Sequence, residues 1–169
     1  SKAKGFVLSL SGGADSSCCA ILVSEMVRRA SAELGWQKFC QSLGLAGVNN
    51  QKQAVEKLLT CAYQGTKNSS ETTLTAAREL AHSIGAEFHS WLVEDEVNSY
   101  RSKIETVLNR SLTWEKDDIA LQNIQARSRS PIIWMLANVK QSVLLTTSNR
   151  IEGDVGYATM DGDTAGSIS

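Results

Sequence analysis

Residues 5–17 read Gly-Phe-Val-Leu-Ser-Leu-Ser-Gly-Gly-Ala-Asp-Ser-Ser, and this stretch decides the fold. Its apolar start, residues 5–10, is typical of a short buried strand that ends at the Ser/Gly turn behind it. From Ala14 to about Ala32, apolar side chains recur at helical spacing. The stretch therefore predicts a strand, a tight turn and a helix in immediate succession.

The same alternation continues along the rest of the chain. The pattern predicts further strands at 58–63, 86–92 and 143–147, and helices at 71–84, 94–109 and 117–139. Because proline breaks helices, we expect a kink or a break in the last helix at Ser130-Pro131. We interpret the Gly-dotted residues 36–50 as an irregular insertion, and residues 148–169 show almost no apolar periodicity.

Strands that alternate with helices indicate parallel β-α units, and hence an α/β sheet that helices cover on both faces. Ligands of such sheets bind at the carboxyl ends of the strands, near the point where the strand order reverses. We therefore expect the polar loops after the first, second and fourth strands to converge on one edge of the sheet.

Composition narrows the class of protein. The chain has 169 residues, 42% of them hydrophobic and 21% charged, with a formal net charge of -1. This length can bury one ordinary core, and the composition excludes a disordered tail, a collagen-like repeat and a disulfide miniprotein. The near-neutral charge argues against nucleic-acid binding through global positive charge. Since no apolar run approaches the roughly 18 residues of a membrane span, we expect a cytoplasmic protein that binds neither nucleic acid nor membranes.

The cysteines do not form a metal-binding or redox motif. None of them makes a C-x-x-C pair, which argues against a zinc site and against a thioredoxin-like centre. We interpret them as small buried hydrophobic residues in a reducing cytosol. They are Cys18, Cys19, Cys40 and Cys61.

The turn after the first strand has the chemistry of a phosphate-binding loop. Gly12 and Gly13 permit a sharp turn and let backbone N–H groups approach a ligand closely. The helix behind them presents unpaired N–H donors and the positive end of its dipole, and three serine hydroxyls add donors. It is not a Walker A loop, because G-x-x-x-x-G-K-[ST] is absent. The plainer alternative is a turn that caps the helix, with Asp15 as a first-turn acid.

The string Ser-Gly-Gly-x-Asp-Ser after a first strand resembles the pyrophosphate loop, or PP-loop, of the ATP-pyrophosphatase superfamily. Three further segments, residues 63–72, 122–129 and 147–166, resemble NAD synthetase, specifically the synthetase domain of the glutamine-dependent form. The resemblance implies a Rossmann-like parallel sheet of the adenine nucleotide alpha hydrolase-like type. It also implies a ligase that adenylates the nicotinate carboxylate of deamido-NAD with ATP and then admits ammonia, releasing pyrophosphate and AMP.

The same resemblance implies roles for individual residues. The ATP-binding residues would be Ser9, Leu10, Ser11, Gly12, Gly13, Ala14, Asp15, Ser16 and Thr147. Mg²⁺ would be held by Asp15 and Glu152, and deamido-NAD would be bound by Asn123, Arg127 and Glu152. The catalytic residues would be Asp15, Glu152 and Asp163.

Simpler interpretations exist for several of these side chains. The acids after Lys140 are also consistent with a solvated acidic loop, and Arg127 and Arg129 with a solvated basic face. Because these arginines lie two apart, only one of them can point at the sheet edge from a helix. The sequence also departs from the family pattern, since Met160 stands where many ammonia-dependent members have a lysine. That departure favours the glutamine-dependent branch or a cation supplied from elsewhere.

The resemblance further implies how the chain is organised. We expect residues 1–169 to form a single synthetase domain, truncated at its C-terminus and lacking an upstream glutaminase domain. In the full-length polypeptide that domain would supply the ammonia, and the enzyme would be a homo-oligomer, a dimer or larger. Two alternatives stay open: another PP-loop ATP pyrophosphatase such as GMP synthetase, or a non-catalytic nucleotide-binding module of the same fold. A tRNA thiolase is disfavoured, because it would bring cysteine pairs and a basic RNA surface.

Overall fold

The computed structural model describes residues 3–147 as four strands joined by helices. Within that range no helix is both long and apolar enough to cross a membrane. The strands are β1 (Phe6–Ser9), β2 (Leu59–Gly65), β3 (Glu87–Leu92) and β4 (Val143–Leu145). The helices are α1 (Ala14–Leu34), α2 (Trp36–Leu43), α3 (Gln51–Leu58), α4 (Glu71–Ile84), α5 (Glu94–Leu108) and α6 (Trp114–Val139).

The four strands form one parallel sheet in the order β3-β2-β1-β4. Phe6 of β1 lies opposite Leu59 of β2 on one side and Val143 of β4 on the other. The chain steps outward from β1 to β3 and then returns past β1 to add β4. The strand order therefore reverses between β1 and β4, which is where sheets of this kind bind ligands.

Both faces of the sheet are covered by helices, as the sequence predicts. Successive side chains of a strand point to opposite faces, and β1 divides the core accordingly. Leu8 belongs to the larger cluster, in which the buried residues of α1, α2, α3 and α4 pack together. Val7 belongs to a smaller cluster with Ile133 and Ala137 of α6. The prediction of a parallel α/β sheet between two helical layers is confirmed.

The helix predicted at 71–84 has those bounds in the structure, because both of its ends carry strong caps. The Ser70 side chain accepts a hydrogen bond from the Thr72 backbone at 3.1 Å, and Gly85 ends the helix in the left-handed conformation. The predicted strands and the helix predicted at 94–109 differ from the observed ones by one or two residues at their ends. Beyond the end of β1, for example, the Leu10 backbone N–H still donates to the Ala62 carbonyl at 2.9 Å.

The irregular insertion expected at 36–50 is wrong, because residues 36–43 form α2. This short helix buries Phe39 in the larger core cluster and ends at Gly44, whose φ is 66°. Only residues 44–50 are irregular, and they lead into α3. Asn50 caps α3 by accepting a hydrogen bond from the Gln53 backbone at 3.0 Å. Of the two glycines in this stretch, Gly44 ends a helix and Gly47 lies in the irregular part.

The sequence predicts a kink or a break at Ser130-Pro131, and a break is wrong, because α6 runs through Pro131 to Val139. The non-helical residue inside α6 is Asp117, near its start. Proline has a helix-compatible φ, and its cost is the lost backbone hydrogen bond. Ile133 and Ala137, which follow it, are buried against the sheet. We attribute the continuity of α6 to that packing.

The cysteines are free, and only part of the interpretation made from the sequence holds. Cys61 is fully buried, and burial raises the pKa of its thiol to about 12. Cys18 is exposed, so interpreting it as a buried hydrophobic residue is wrong. Its position on α1 points to solvent while Ala20 and Val23 face the core.

The C-terminal end of α6 is tied to the amino edge of the sheet. Lys140 donates to Thr60 Oγ1 of β2 at 2.9 Å and also to Glu87 Oε2 of β3. Thr60 Oγ1 donates to Glu87 Oε2 at 2.8 Å, and the His89 ring lies 2.9 Å from Glu87 Oε1. We refer to these four residues as the amino-edge network. It helps to fix the position of α6, whose opposite half reaches the carboxyl edge.

Candidate active site

The turn between β1 and α1 requires glycine at its second position. Gly12 has a φ of 81°, which disfavours any residue with a side chain. A Cβ atom at Gly12 would lie 2.3 Å from the Thr73 carbonyl oxygen of α4, far inside van der Waals contact. The turn thus packs directly on the backbone of α4. This contact positions the start of α1 relative to α4.

Hydrogen bonds of the buried Ser16 hydroxyl brace the turn from within. Ser16 Oγ accepts from the Ser11 backbone N–H at 3.2 Å, lies 3.0 Å from Ser11 Oγ and donates to the Gly13 carbonyl at 3.3 Å. Ser17 Oγ donates to the same carbonyl at 2.7 Å. The hydroxyls of Ser16 and Ser17 are therefore engaged inside the turn. Of the three serines considered as ligand donors, Ser11 lines the cavity described next.

A cavity of about 480 Å³ opens at the carboxyl edge of the sheet. It lies beside the turn and against α6, where the strand order reverses. Its lining residues are Ser9, Ser11, Asp15, Tyr63, Gln64, Ser69, Ser70, Thr73, Ala126, Arg129, Ser130, Ile133, Leu144, Leu145, Thr146 and Thr147. The loops after β1, β2 and β4 all contribute, so the predicted convergence on one edge is confirmed.

The cavity brings together four of the predicted ATP-binding residues, which are Ser9, Ser11, Asp15 and Thr147. Gly12, Gly13 and Ala14 form the turn beside it. Leu10 is fully buried in the larger core cluster, so its side chain serves the fold.

Asp15 fits the requirements of a magnesium ligand. It is exposed in the first turn of α1 and lines the cavity, and the oxygens of a carboxylate are hard donors. Protein sites for Mg²⁺ commonly use one or two carboxylates together with substrate phosphates and water. Within residues 3–147, no cluster of three or more His, Cys, Asp or Glu side chains could hold a metal by itself.

Arg129 lines the cavity, although its sequence context is equally consistent with a solvated basic face. Its Nε donates to the backbone carbonyl of Gln64 at 3.0 Å, which ties α6 to the end of β2. Gln64 is buried, its Nε2 lies 3.3 Å from Ser9 Oγ, and its Oε1 has no hydrogen-bond partner among the described residues. A buried acceptor in this state is open to a ligand or to water.

Asn123 and Arg127 lie elsewhere. They line a second cavity of about 760 Å³ that is formed between α5 and α6. Arg127 is exposed, whereas Arg129 faces the sheet edge. This agrees with the prediction that only one of two arginines spaced two apart on a helix can point at that edge. The assignment of Asn123 and Arg127 to deamido-NAD stays a prediction. Glu152 and Asp163, to which roles are also assigned, lie outside the residues that the structure describes.

Helical periodicity could have identified Arg129. Ile133 and Ala137 follow it at intervals of four and are buried, so Arg129 lies on the face of α6 that packs on the sheet. Gln64 and Tyr63, by contrast, belong to the segment 63–72, which carries the family resemblance. Nothing in their local pattern indicates that they line a cavity.

Comparisons with known proteins identify the family of this chain. The family model for NAD synthase matches residues 1–169. The glutamine-dependent NAD(+) synthetase of Arabidopsis thaliana is 32% identical over 182 residues, covering 94% of this chain and 25% of that protein. The corresponding protein of Aquifex aeolicus is 31% identical, covering 96% of this chain and 23% of its own length. The chain therefore spans about a quarter of these curated relatives.

Solved structures give the same result. A glutamine-dependent NAD(+) synthetase from Cytophaga hutchinsonii is 56% identical, with a TM-score of 0.91 over 98% of this chain and 30% of that one. The glutamine-dependent enzyme of Acinetobacter baumannii, solved with adenosine diphosphate, is 23% identical with a TM-score of 0.74. That alignment covers 99% of this chain and 26% of the other, and at this identity it shows a shared fold. On the match of the family model to all 169 residues, the chain belongs to the NAD synthase family.

Proposed function

We propose that this chain is the synthetase part of a ligase that converts deamido-NAD to NAD, using ATP and ammonia. The observation that carries the proposal is the cavity at the strand-order reversal, where Ser11 and Asp15 meet the loops after β2 and β4. The same chain matches the NAD synthase family along its whole length. Since the chain spans about a quarter of its relatives, the activity of the whole protein is part of the proposal.

In the first half of the reaction, an oxygen of the nicotinate carboxylate attacks the α-phosphorus of ATP. The bond from that phosphorus to the bridging oxygen breaks, and pyrophosphate leaves with the electron pair. The product is an acyl-adenylate. Backbone N–H groups at the start of α1 would bind the phosphates, because they lack partners within the helix and carry the positive end of its dipole.

In the second half, ammonia attacks the acyl carbon of the adenylate. The bond from this carbon to the AMP oxygen breaks, AMP leaves, and the nitrogen loses a proton to give the nicotinamide. Magnesium, when bound, would neutralise charge on the phosphates. Asp15 would hold it, together with Glu152, and Thr147 would contact ATP.

The remaining assignments concern the second substrate. We propose that Asn123 and Arg127 bind deamido-NAD, with Asp163 close to the reacting nicotinate. The 760 Å³ cavity that Asn123 and Arg127 line has space for part of a dinucleotide. Within the part of the chain that the structure describes, four cationic side chains line it against two acidic ones, so positive charge is in excess for a phosphate-containing ligand; these are Arg101, Lys103, Lys116 and Arg127, and Asp117 and Asp118.

The proposal extends to the assembly and compartment of the protein. Ammonia would come from glutamine through a glutaminase domain of the same polypeptide, as the names of the relatives suggest. A homo-oligomer is supported by large exposed apolar side chains on α5 and α6, such as Val107, Met135 and Val139. Residues 1–169 would act as one synthetase domain, and the four free thiols support a reducing, cytoplasmic location.

The test is NAD formation from deamido-NAD by the purified protein with ATP, Mg²⁺ and either ammonium or glutamine. Asp15→Asn should lower kcat/KM by about 100-fold or more, because it weakens metal binding at the phosphates. Folding should be unaffected, since Asp15 is exposed. The matched control is Glu33→Gln, an exposed acid near the other end of α1, which should keep the wild-type rate.

Other outcomes would point to the alternatives. Pyrophosphate release that depends on xanthosine monophosphate would indicate GMP synthetase activity instead. Nucleotide binding with no pyrophosphate release, in the presence of every substrate, would indicate a non-catalytic module. An Asp15→Asn variant as active as the wild type would contradict the role of Asp15.

A further inference from the structure

Arg129 occupies a place in the cavity that the reaction scheme above leaves without a role. It lies on the face of α6 that packs on the sheet, one turn before the buried Ile133. Ala126 and Ser130 of the same helix line the cavity beside it. The same cavity is lined by Ser11 and Asp15 of the turn, where the phosphates of ATP would bind.

The guanidinium of Arg129 is held in place by the protein. Nε donates to the Gln64 carbonyl at 3.0 Å, and Gln64 is itself buried in β2. One of the five N–H donors of the side chain is used in this contact, and the planar fork carries the rest. An arginine that is fixed in this way loses less conformational entropy when it binds an anion.

The phosphates of a nucleotide bound in this cavity would need a positively charged side chain to pair with. Among the described lining residues, Arg129 is the one cationic side chain and Asp15 the one acidic side chain. A nucleoside triphosphate adds several negative charges, and a partly enclosed anion needs paired charge to offset its lost hydration. Arginine forms bidentate, charge-assisted hydrogen bonds with phosphate.

We propose that Arg129 binds phosphate oxygens of ATP from the α6 side of the cavity, with Gln64 as its positioning residue. The proposal rests on the function proposed above for the identity of the nucleotide. Arg129 would hold the phosphate chain opposite the turn and keep its contact with the pyrophosphate as that group departs. The Gln64 carbonyl would set the orientation of the guanidinium plane.

Calorimetric titration of the purified protein in Mg²⁺ buffer, with inorganic pyrophosphate, α,β-methylene-ATP and adenosine as separate ligands, tests this role. Arg129→Gln should weaken pyrophosphate and the ATP analogue by about tenfold or more, and Arg129→Lys by less. Adenosine affinity should stay within about twofold, because adenosine has no phosphate. Arg28→Gln, a matched change at an exposed arginine of α1, should leave all three affinities unchanged.

Three results would overturn the proposal. If Arg129→Gln and Arg129→Lys weaken adenosine as much as pyrophosphate, Arg129 only maintains the cavity. If Arg129→Gln raises the KM for deamido-NAD and leaves the affinity for pyrophosphate unchanged, the arginine serves the carboxylate substrate. A wild-type protein that does not bind pyrophosphate would also overturn it. The proposed function can fail separately, because pyrophosphate binding that depends on Arg129 can be measured in a protein that makes no NAD.

Discussion

At the turn between β1 and α1, the backbones of two segments lie too close for any side chain. Gly12→Ala would place a Cβ 2.3 Å from the Thr73 carbonyl oxygen and would also strain a φ of 81°. We expect this variant to lose about 3 kcal/mol of unfolding free energy or more, because strain and clash both act. Urea unfolding measures the loss.

Gly44→Ala separates the two causes. Gly44 also has a positive φ, at 66°, but nothing lies within 4 Å of a Cβ placed there. Backbone strain alone should cost about 1 kcal/mol at this position. Equal losses in the two variants would show that the contact with Thr73 relaxes freely, and would contradict the argument that the turn is fixed by α4.

At the residue scale, the sequence predicts a feature when neighbouring residues determine it, and misses it when distant contacts do. The turn, its glycines and the exposed Asp15 follow from adjacent residues. The choice between Arg127 and Arg129 depends on which face of α6 is buried, and Ile133 and Ala137 encode that face. The use of the Ser16 hydroxyl inside the turn has no local signal, because a serine ligand and a serine brace have the same sequence.

At the element scale, the predicted helices match the observed ones where the capping residues at the helix ends are recognised in the sequence. The helix at 71–84 was predicted with its observed bounds, because Ser70 and Gly85 are strong caps. In residues 36–50 the same kind of glycine signal was interpreted as irregularity. Phe39, buried in the core, stabilises α2 through a tertiary contact that an eight-residue helix does not show in its own pattern.

Proline within α6 gives a prediction at the same scale. Pro131 lies in regular helix and is exposed, so alanine there would restore a backbone hydrogen bond and lose little burial. The unfolded chain gains freedom, which offsets part of this gain. We expect Pro131→Ala to raise the unfolding free energy by about 1–2 kcal/mol, measured by urea denaturation.

Gln122→Ala, at another exposed position of α6, is the control for helix propensity alone. It should change the unfolding free energy by less than about 0.5 kcal/mol. A lower denaturation midpoint for Pro131→Ala would mean that the restricted φ of proline stabilises α6 more than the missing hydrogen bond costs.

At the scale of the whole molecule, the sequence predicted which loops meet but not which strands are neighbours. Parallel strands bring their carboxyl ends to one edge whatever their order, so the loops after β1, β2 and β4 converge as expected. The order β3-β2-β1-β4 depends on where the chain crosses back after α6. The contacts that accompany this crossing, such as the pairing of β4 with β1 and those of Lys140 with Thr60 and Glu87, join residues far apart in sequence.

The amino-edge network makes the stability of the fold depend on pH. Burial, the largest single effect, raises the pKa of Glu87, but hydrogen bonds from Lys140, His89 and Thr60 together outweigh it and lower the pKa from 4.5 to about 2. The folded state thus binds the Glu87 proton less tightly than the unfolded state does. The network should stabilise the protein fully above about pH 4.5 and lose this effect as the pH falls toward 2.

Glu87→Gln tests this dependence, because glutamine keeps the size of the side chain and removes its charge. The variant should have a lower urea midpoint than the wild type at neutral pH, and the difference should shrink as the pH falls from 4.5 to 2. Glu79→Gln, at an exposed position of α4, controls for the loss of one negative charge. A difference for Glu87→Gln that stays constant across this range would mean that the network stabilises the fold by packing alone. In that case, protonation of Glu87 would not weaken the contacts that join β2 and β3 to the end of α6.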